Sequence, residues 1–165
     1  MGRPKSDTQT PELLAITADA VKELDDCLDL IVQNSAVRCA LLIDKTGAII
    51  SRSGTFDAVA PEITAAVTVA TYTALQSLTR ATEADELSIK FYGKKFRKLY
   101  IARVYGRIYL TAIYDEQTSA TKIRSVARPL IRKMAEALAA DQPDQTTLHS
   151  ITFIQEKLSE IFKNG

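Results

Sequence analysis

"CALLIDKTGAIISRSG", Cys39 to Gly54, sets two short apolar runs on either side of Asp44-Lys45-Thr46-Gly47. Such a stretch has two readings. A glycine-rich phosphate loop feeds the N-terminus of a helix, whose free N–H groups and dipole hold an anion. A hairpin instead feeds a second strand through a short turn in which glycine takes the left-handed conformation. Here Gly47 is followed by "AIISR" and no Gly-Lys-Ser/Thr appears. The residues therefore predict two strands, Val37 to Asp44 and Ala48 to Arg52, joined by Lys45-Thr46-Gly47.

Outward from that hairpin the chain alternates helix and sheet patterns. Upstream, Thr10-Pro11-Glu12 has the form of a helix start, with a hydroxyl cap, proline at the first helical position and an acid in the first turn. Leu13, Thr17, Val21, Leu24, Leu28 and Ile31 follow at helical spacing, predicting an amphipathic helix that ends near Asn34. Asp25, Asp26 and Asp29 fall off that stripe and read as a solvated face. Downstream, Thr55 to Thr82 reads as one long helix. Its residues Val59, Ile63, Ala66, Val67, Ala70, Ala74 and Leu78 make one apolar stripe, and Ala65, Val69, Tyr72 and Gln76 a second. Three strand-like runs follow, "ELSIKFYG", "RKLYIARVYG" and "RIYLTAIYD", punctuated by Gly93 and Gly106. Tyr100, Ala102 and Val104 oppose Leu99 and Ile101, which suggests a sheet covered on both faces.

A further helix is predicted from Ser119 to Ala140, with Pro129 inside it as a kink or break. The polar stretch "DQPDQTT" leads to a last amphipathic helix, Thr147 to Lys163. The expected organisation is a frayed tail over 1–9, one domain over 10–140, a linker over 141–146 and an appended helix over 147–165. The fold class is α+β: a five-stranded, mostly antiparallel sheet with helices on both faces.

Composition narrows the function classes. The chain has 165 residues, 46% of them hydrophobic and 25% charged, with a formal net charge of +1. That balance suits one soluble domain and gives no global attraction to nucleic acid or membrane. No signal-like core or spanning run is visible, so the expected location is the cytoplasm. Cys27, Cys39 and the sole histidine, His149, lack metal-ligand spacing, and the thiols read as core residues. Ser51, Ser53 and Ser77 have no histidine in a core element, and Asp85-Glu86 read as loop acids. No catalytic set, metal site or cofactor is expected.

At this point the stretch from about Val37 to Leu138 resembles the roadblock / dynein light chain superfamily, including its Mgl-type bacterial and archaeal members. The resemblance is carried by "ALLIDKTGAIISRSG", by "DAVAPEITAAVTVATYTALQSL" and by "ELSIKFYGKKFRKLYIARVYGRIYLTAIYD" running into the helix from Ser119. It implies the roadblock (profilin-like) fold and a homodimer, in which the strand after the middle helix pairs with its twofold mate and the middle helices pack together. Mapped onto this chain, the dimer interface is Ser88, Ile89, Lys90, Phe91 and Tyr92 on the strand, with Ala65, Val69, Tyr72 and Gln76 on the helix. The strand agrees on its own terms. "LSIKFY" is rich in β-branched and aromatic residues, free of proline and guarded by one lysine, Lys90, and an open edge of that kind invites association; a covered or charge-blunted edge in a monomer is the other reading.

The resemblance further implies a non-enzymatic regulator or scaffold that binds a small Ras-like GTPase and modulates its nucleotide cycle. In Mgl-type members the dimer supplies no arginine finger and reshapes the GTPase's own active site. The polar side of the middle helix, Thr64, Thr68, Thr71 and Thr79, is the candidate partner contact. Two alternatives stand beside it. One is a small-ligand sensor of similar fold. The other is binding of an anionic surface, nucleic acid or lipid, through the basic hairpin Lys90 to Arg107, with Lys94, Lys95, Arg97 and Lys98 as its patch. Arg124, Arg128 and Arg132 form a second basic row, read as a solvated face.

Overall fold

A computed structural model describes residues 16–57, 59–91, 97–141 and 156–163. Helix α1, Ala18–Ser35, begins seven residues later than Pro11 would place it, because Thr17 is the cap: its Oγ1 accepts from the Ala20 N–H at 3.2 Å. Thr10 and Pro11 lie outside the described residues. The Thr17 N–H donates to Asp141 Oδ2 at 2.6 Å, tying the start of α1 to the end of the last domain helix.

The hairpin forms as expected. Strands β1, Cys39–Ile43, and β2, Ile49–Gly54, are antiparallel, and Gly47 turns between them at φ 86°. Asp44 Oδ1 accepts from the N–H groups of Thr46 and Ala48 at 2.8 and 3.1 Å, so one carboxylate organises the turn. At the far end of β2, Gly54 has φ 92°, and the Thr55 N–H donates to the Arg38 carbonyl at 3.0 Å. A Cβ at position 54 would lie 2.3 Å from that carbonyl oxygen, so only glycine fits this exit.

The long middle helix is two helices, α2 over Pro61–Ala74 and α3 over Gln76–Thr82. Proline has no N–H to give and is at home in the first helical turn, so Pro61 sets the start, and Ala60 before it is extended at ψ 142°. Leu75, at φ −96° and ψ 8°, breaks the run. Strands β3, Glu86–Phe91, β4, Arg97–Tyr105, and β5, Ile108–Tyr114, complete one sheet in the order β2-β1-β5-β4-β3, every neighbouring pair antiparallel.

Helix α4, Ala120–Ala140, is capped by Ser119 and continues through Pro129 without a break. Pro129 lies on the exposed side, as does Ser125, whose carbonyl the proline cannot satisfy. Residues 156–163 form a final helix, α5, that is exposed along its whole described length. Residues 147–155, His149 included, lie outside the described residues.

Alternation along the strands divides the core in two. Ala40, Leu42, Tyr100, Ala102, Leu110, Ala112 and Tyr114 face α1 and α4, meeting Leu24, Leu28, Ile31, Ile123, Ala127 and Met134. Leu41, Ile43, Leu99, Ile101, Tyr109 and Ile113 face the other way, toward Ala65, Val69 and Tyr72 of α2. Both cysteines are buried and free, as the sequence suggests. Burial pushes the Cys39 thiol up to about 11, so it stays protonated at neutral pH.

Candidate interaction surface

Helix α2 faces opposite to the expected way. Its sheet-facing side carries Thr64, Ala65 and Thr68, all buried. The Thr68 hydroxyl is fully buried, 2.8 Å from the Thr64 carbonyl and 3.1 Å from the hydroxyl of Thr111 on β5. Tyr72 packs against Tyr109 with ring centroids 4.4 Å apart and planes tilted by 41°. The outer side carries Ile63, Val67 and Leu78 (the last on α3), which stand 58%, 37% and 56% exposed. The hydroxyls of Thr64 and Thr68 thus point in, while Ile63 and Val67 point out.

This orientation corrects several assignments. Thr64, Thr68 and Thr79 are buried within the protomer and Thr71 is half-buried, so they do not form an open polar face. The reason is chemical: the Thr64 and Thr79 hydroxyls bond to the Ala60 and Gln76 carbonyls, as Thr68 bonds to Thr64, which lets threonine enter an interior. Ala65 is likewise buried against the protomer's own sheet, with Val69 and Tyr72 half-buried beside it, so these three are core here. Gln76 is exposed at the start of α3. The sequence places Ile63, Val67 and Leu78 on one apolar stripe, but not which way the stripe faces, because this helix is apolar or small nearly all round and periodicity carries no preferred face.

Strand β3 is an edge of the sheet. Leu87 and Ile89 lie half-buried on the α2 side, while Ser88 and Lys90 are exposed. Phe91 closes the strand, paired in register with Arg97. Tyr92, Lys94 and Lys95 lie outside the described residues. The opposite face of β3 is pinned. Glu86 Oε2 accepts from the Tyr100 hydroxyl at 2.6 Å, Glu86 Oε1 pairs with Arg124 Nε, and Ser88 Oγ lies 2.7 Å from the Tyr114 hydroxyl. Burial and the Glu86 bond hold the Tyr100 phenol in its neutral form. Glu86 is thus a strand residue with two partners and not a loop acid, and Arg124 leaves the solvated row. Arg97 and Lys98 are half-buried on β4, with the Lys98 ammonium 5.5 Å above the Tyr114 ring.

Asp25 and Asp29 also have partners, which sequence separation hid: they accept from the hydroxyls of Ser51 and Ser53 on β2. A cavity of about 170 Å³ lies at the start of β1, lined by Arg38, Cys39, Thr55, Phe56, Asp57 and Arg97. Arg38 Nε is held at 2.7 Å by Asp115. Among the described residues no group of three or more His, Cys, Asp and Glu is placed to hold a metal ion, and no helix is long and apolar enough to cross a membrane.

No family model and no curated protein matches the sequence. Solved structures do. MglB of Myxococcus xanthus superposes with a TM-score of 0.64 at 20% identity, over 75% of this chain and 93% of that one. The gliding protein MglB of Thermus thermophilus gives 0.64 at 17% identity, over 75% and 94%. A Roadblock/LC7 domain from Streptomyces avermitilis gives 0.58 at 16%, over 70% and 97%. A further MglB structure, described as a tetrameric arrangement, gives 0.64 at 17%, over 76% and 95%. These superpositions show that this chain has the roadblock/LC7 fold, in the form seen in MglB.

Proposed function

We propose that the chain is a non-enzymatic homodimeric regulator or scaffold, acting in the cytoplasm, that holds a small Ras-like GTPase and modulates its nucleotide cycle. The observation that carries this reading is the inverted middle helix. Aliphatic side chains left in water on Ile63, Val67 and Leu78 cost free energy that burial against a second copy recovers. The open β3 edge supplies backbone groups for the same partner. Two α2 helices packed across a twofold axis, with β3 joined to its mate through Ser88 to Phe91, make one continuous sheet and one broad platform. The dimer face on the helix is then Ile63, Val67 and Leu78, with Gln76 kept and Ala65, Val69 and Tyr72 returned to the core. The tetrameric arrangement described for one MglB structure of this fold supports self-association of this chain.

The platform itself does no bond chemistry. It selects one conformation of the GTPase and so alters hydrolysis or exchange at the partner's own site. The test is nucleotide turnover by a set of purified small Ras-like GTPases, with and without the purified protein. The expected result is a several-fold change in hydrolysis or exchange for one GTPase, lost when Ile63 and Val67 are both changed to Ser. No bound GTPase and no change in turnover across the set contradicts the proposal.

A further inference from the structure

The second edge of the sheet, β2, has a setting unlike that of β3. Helix α1 lies along one side of it, with Asp25 and Asp29 one turn apart accepting from Ser51 and Ser53. The first turn of α2 brings Glu62 to the other side. Between them runs an open groove of about 630 Å³, lined by Val21, Asp25, Asp29, Ile50, Arg52 and Glu62. Half of an edge strand's N–H and C=O groups point away from its neighbour, so the floor of this groove is a row of backbone donors and acceptors. Half-buried Ile49 and Ile50 add apolar footing, and the register irregularity at Leu42/Ile43 confines regular pairing to the stretch beyond the turn.

The charge of the groove selects its occupant. Three carboxylates stand against one guanidinium, Arg52. Each serine hydroxyl uses only part of its carboxylate's capacity, since an ionised carboxylate accepts at up to about four positions. The negative charge therefore remains for an incoming cation. A second copy is a poor fit: pairing β2 with its twofold mate would face Asp25, Asp29 and Glu62 with the same residues, and like charges across strands repel. We infer that β2 is a docking edge for an extended, basic segment of another protein, which adds as a sixth strand between α1 and α2. The site is independent of the dimer reading, which uses β3.

Two octapeptides test this, alternating Lys-Val and, as control, alternating Glu-Val, titrated into the isotope-labelled full chain while backbone amides are followed by NMR. The Lys-Val peptide is expected to bind saturably, to shift the amides of Ile50 to Gly54 and to slow their exchange. It should bind at least about tenfold more tightly than the Glu-Val peptide. The pair Asp25→Asn and Asp29→Asn, which keeps acceptors for both serines, should weaken it about tenfold with little change in melting temperature. Raising salt from 50 to 500 mM on the unaltered protein should do the same, and this arm stands if the variant fails to fold. Equal affinity for the two peptides, shifts centred on α4, no saturation by 1 mM, or insensitivity to both the substitutions and salt overturns the proposal.

Discussion

Replacing Thr68 by Val and Thr111 by Val, singly and together, probes the inverted packing of α2 from the inside. Both side chains are fully buried, with their hydroxyls 3.1 Å apart. Thr68 also reaches the Thr64 carbonyl at 2.8 Å, whereas Thr111 has only Thr68 among the side-chain bonds described. The two single changes are therefore unequal. Thr68→Val strands a buried hydroxyl on β5, and an unsatisfied buried polar group costs about 1–3 kcal/mol. Thr111→Val leaves Thr68 bonded to its own helix and should cost nearer 0.5–1 kcal/mol, about the net worth of one hydrogen bond. The double variant removes both partners and keeps the shape, so it should be more stable than Thr68→Val alone. A difference of about 1 kcal/mol moves the melting temperature by roughly 2–4 °C at this chain length, well within resolution. Urea denaturation followed by circular dichroism at fixed protein concentration gives the cycle directly. Additive losses, with the double variant the least stable of the four, would falsify the claim that these hydroxyls face each other beneath α2.

Other consequences follow from local geometry. Gly54→Ala should cost at least about 2 kcal/mol, because φ is 92° and the new Cβ meets backbone at 2.3 and 2.7 Å. Gly47→Ala, at φ 86° with nothing within 4 Å, should cost about 1 kcal/mol, and paired urea titrations compare them. The Asp115 carboxyl is held below the usual carboxylate range, first by the Gln117 N–H and then by Arg38. Its folded pKa lies below its unfolded one, so its stabilisation is present above about pH 4 and is lost as pH falls through the folded value. Asp115→Asn should therefore destabilise the protein at pH 7 and flatten the acid limb of stability against pH, and an unchanged limb would count against the Arg38 pairing. Both thiols are buried, and Cys39 is pushed up to about 11, so neither should react with a thiol reagent at pH 8 until the chain unfolds. Fast native-state labelling would contradict that packing.

The sheet was legible in the sequence because its signals are local. Gly47 and Gly106 mark turns, and strands such as "LYIARVY" assign their two faces by alternation. The helices with a polar side, α1 and α4, were legible for the same reason. What failed were features set by distance or by uniformity. Ser51 and Asp25 are 26 residues apart, and Glu86 meets Arg124 across 38, so no spacing rule joins them. Helix α2 is apolar or small on every side, which removes the contrast that would orient it, and its threonines enter the interior by bonding back to their own backbone. Proline misled in two places: Pro11 set the start of α1 seven residues early, and Pro129 sits on the wet side of α4 and interrupts nothing.

Sedimentation equilibrium on the purified full chain at low micromolar concentration weighs most directly on whether the outward aliphatic face of α2 and the open β3 rim bring two copies together. The expected mass is twice the 18.1 kDa of the chain, reverting to one chain when Ile63, Val67 and Leu78 are all changed to Ser. A single-chain mass for the unaltered protein at that concentration contradicts it.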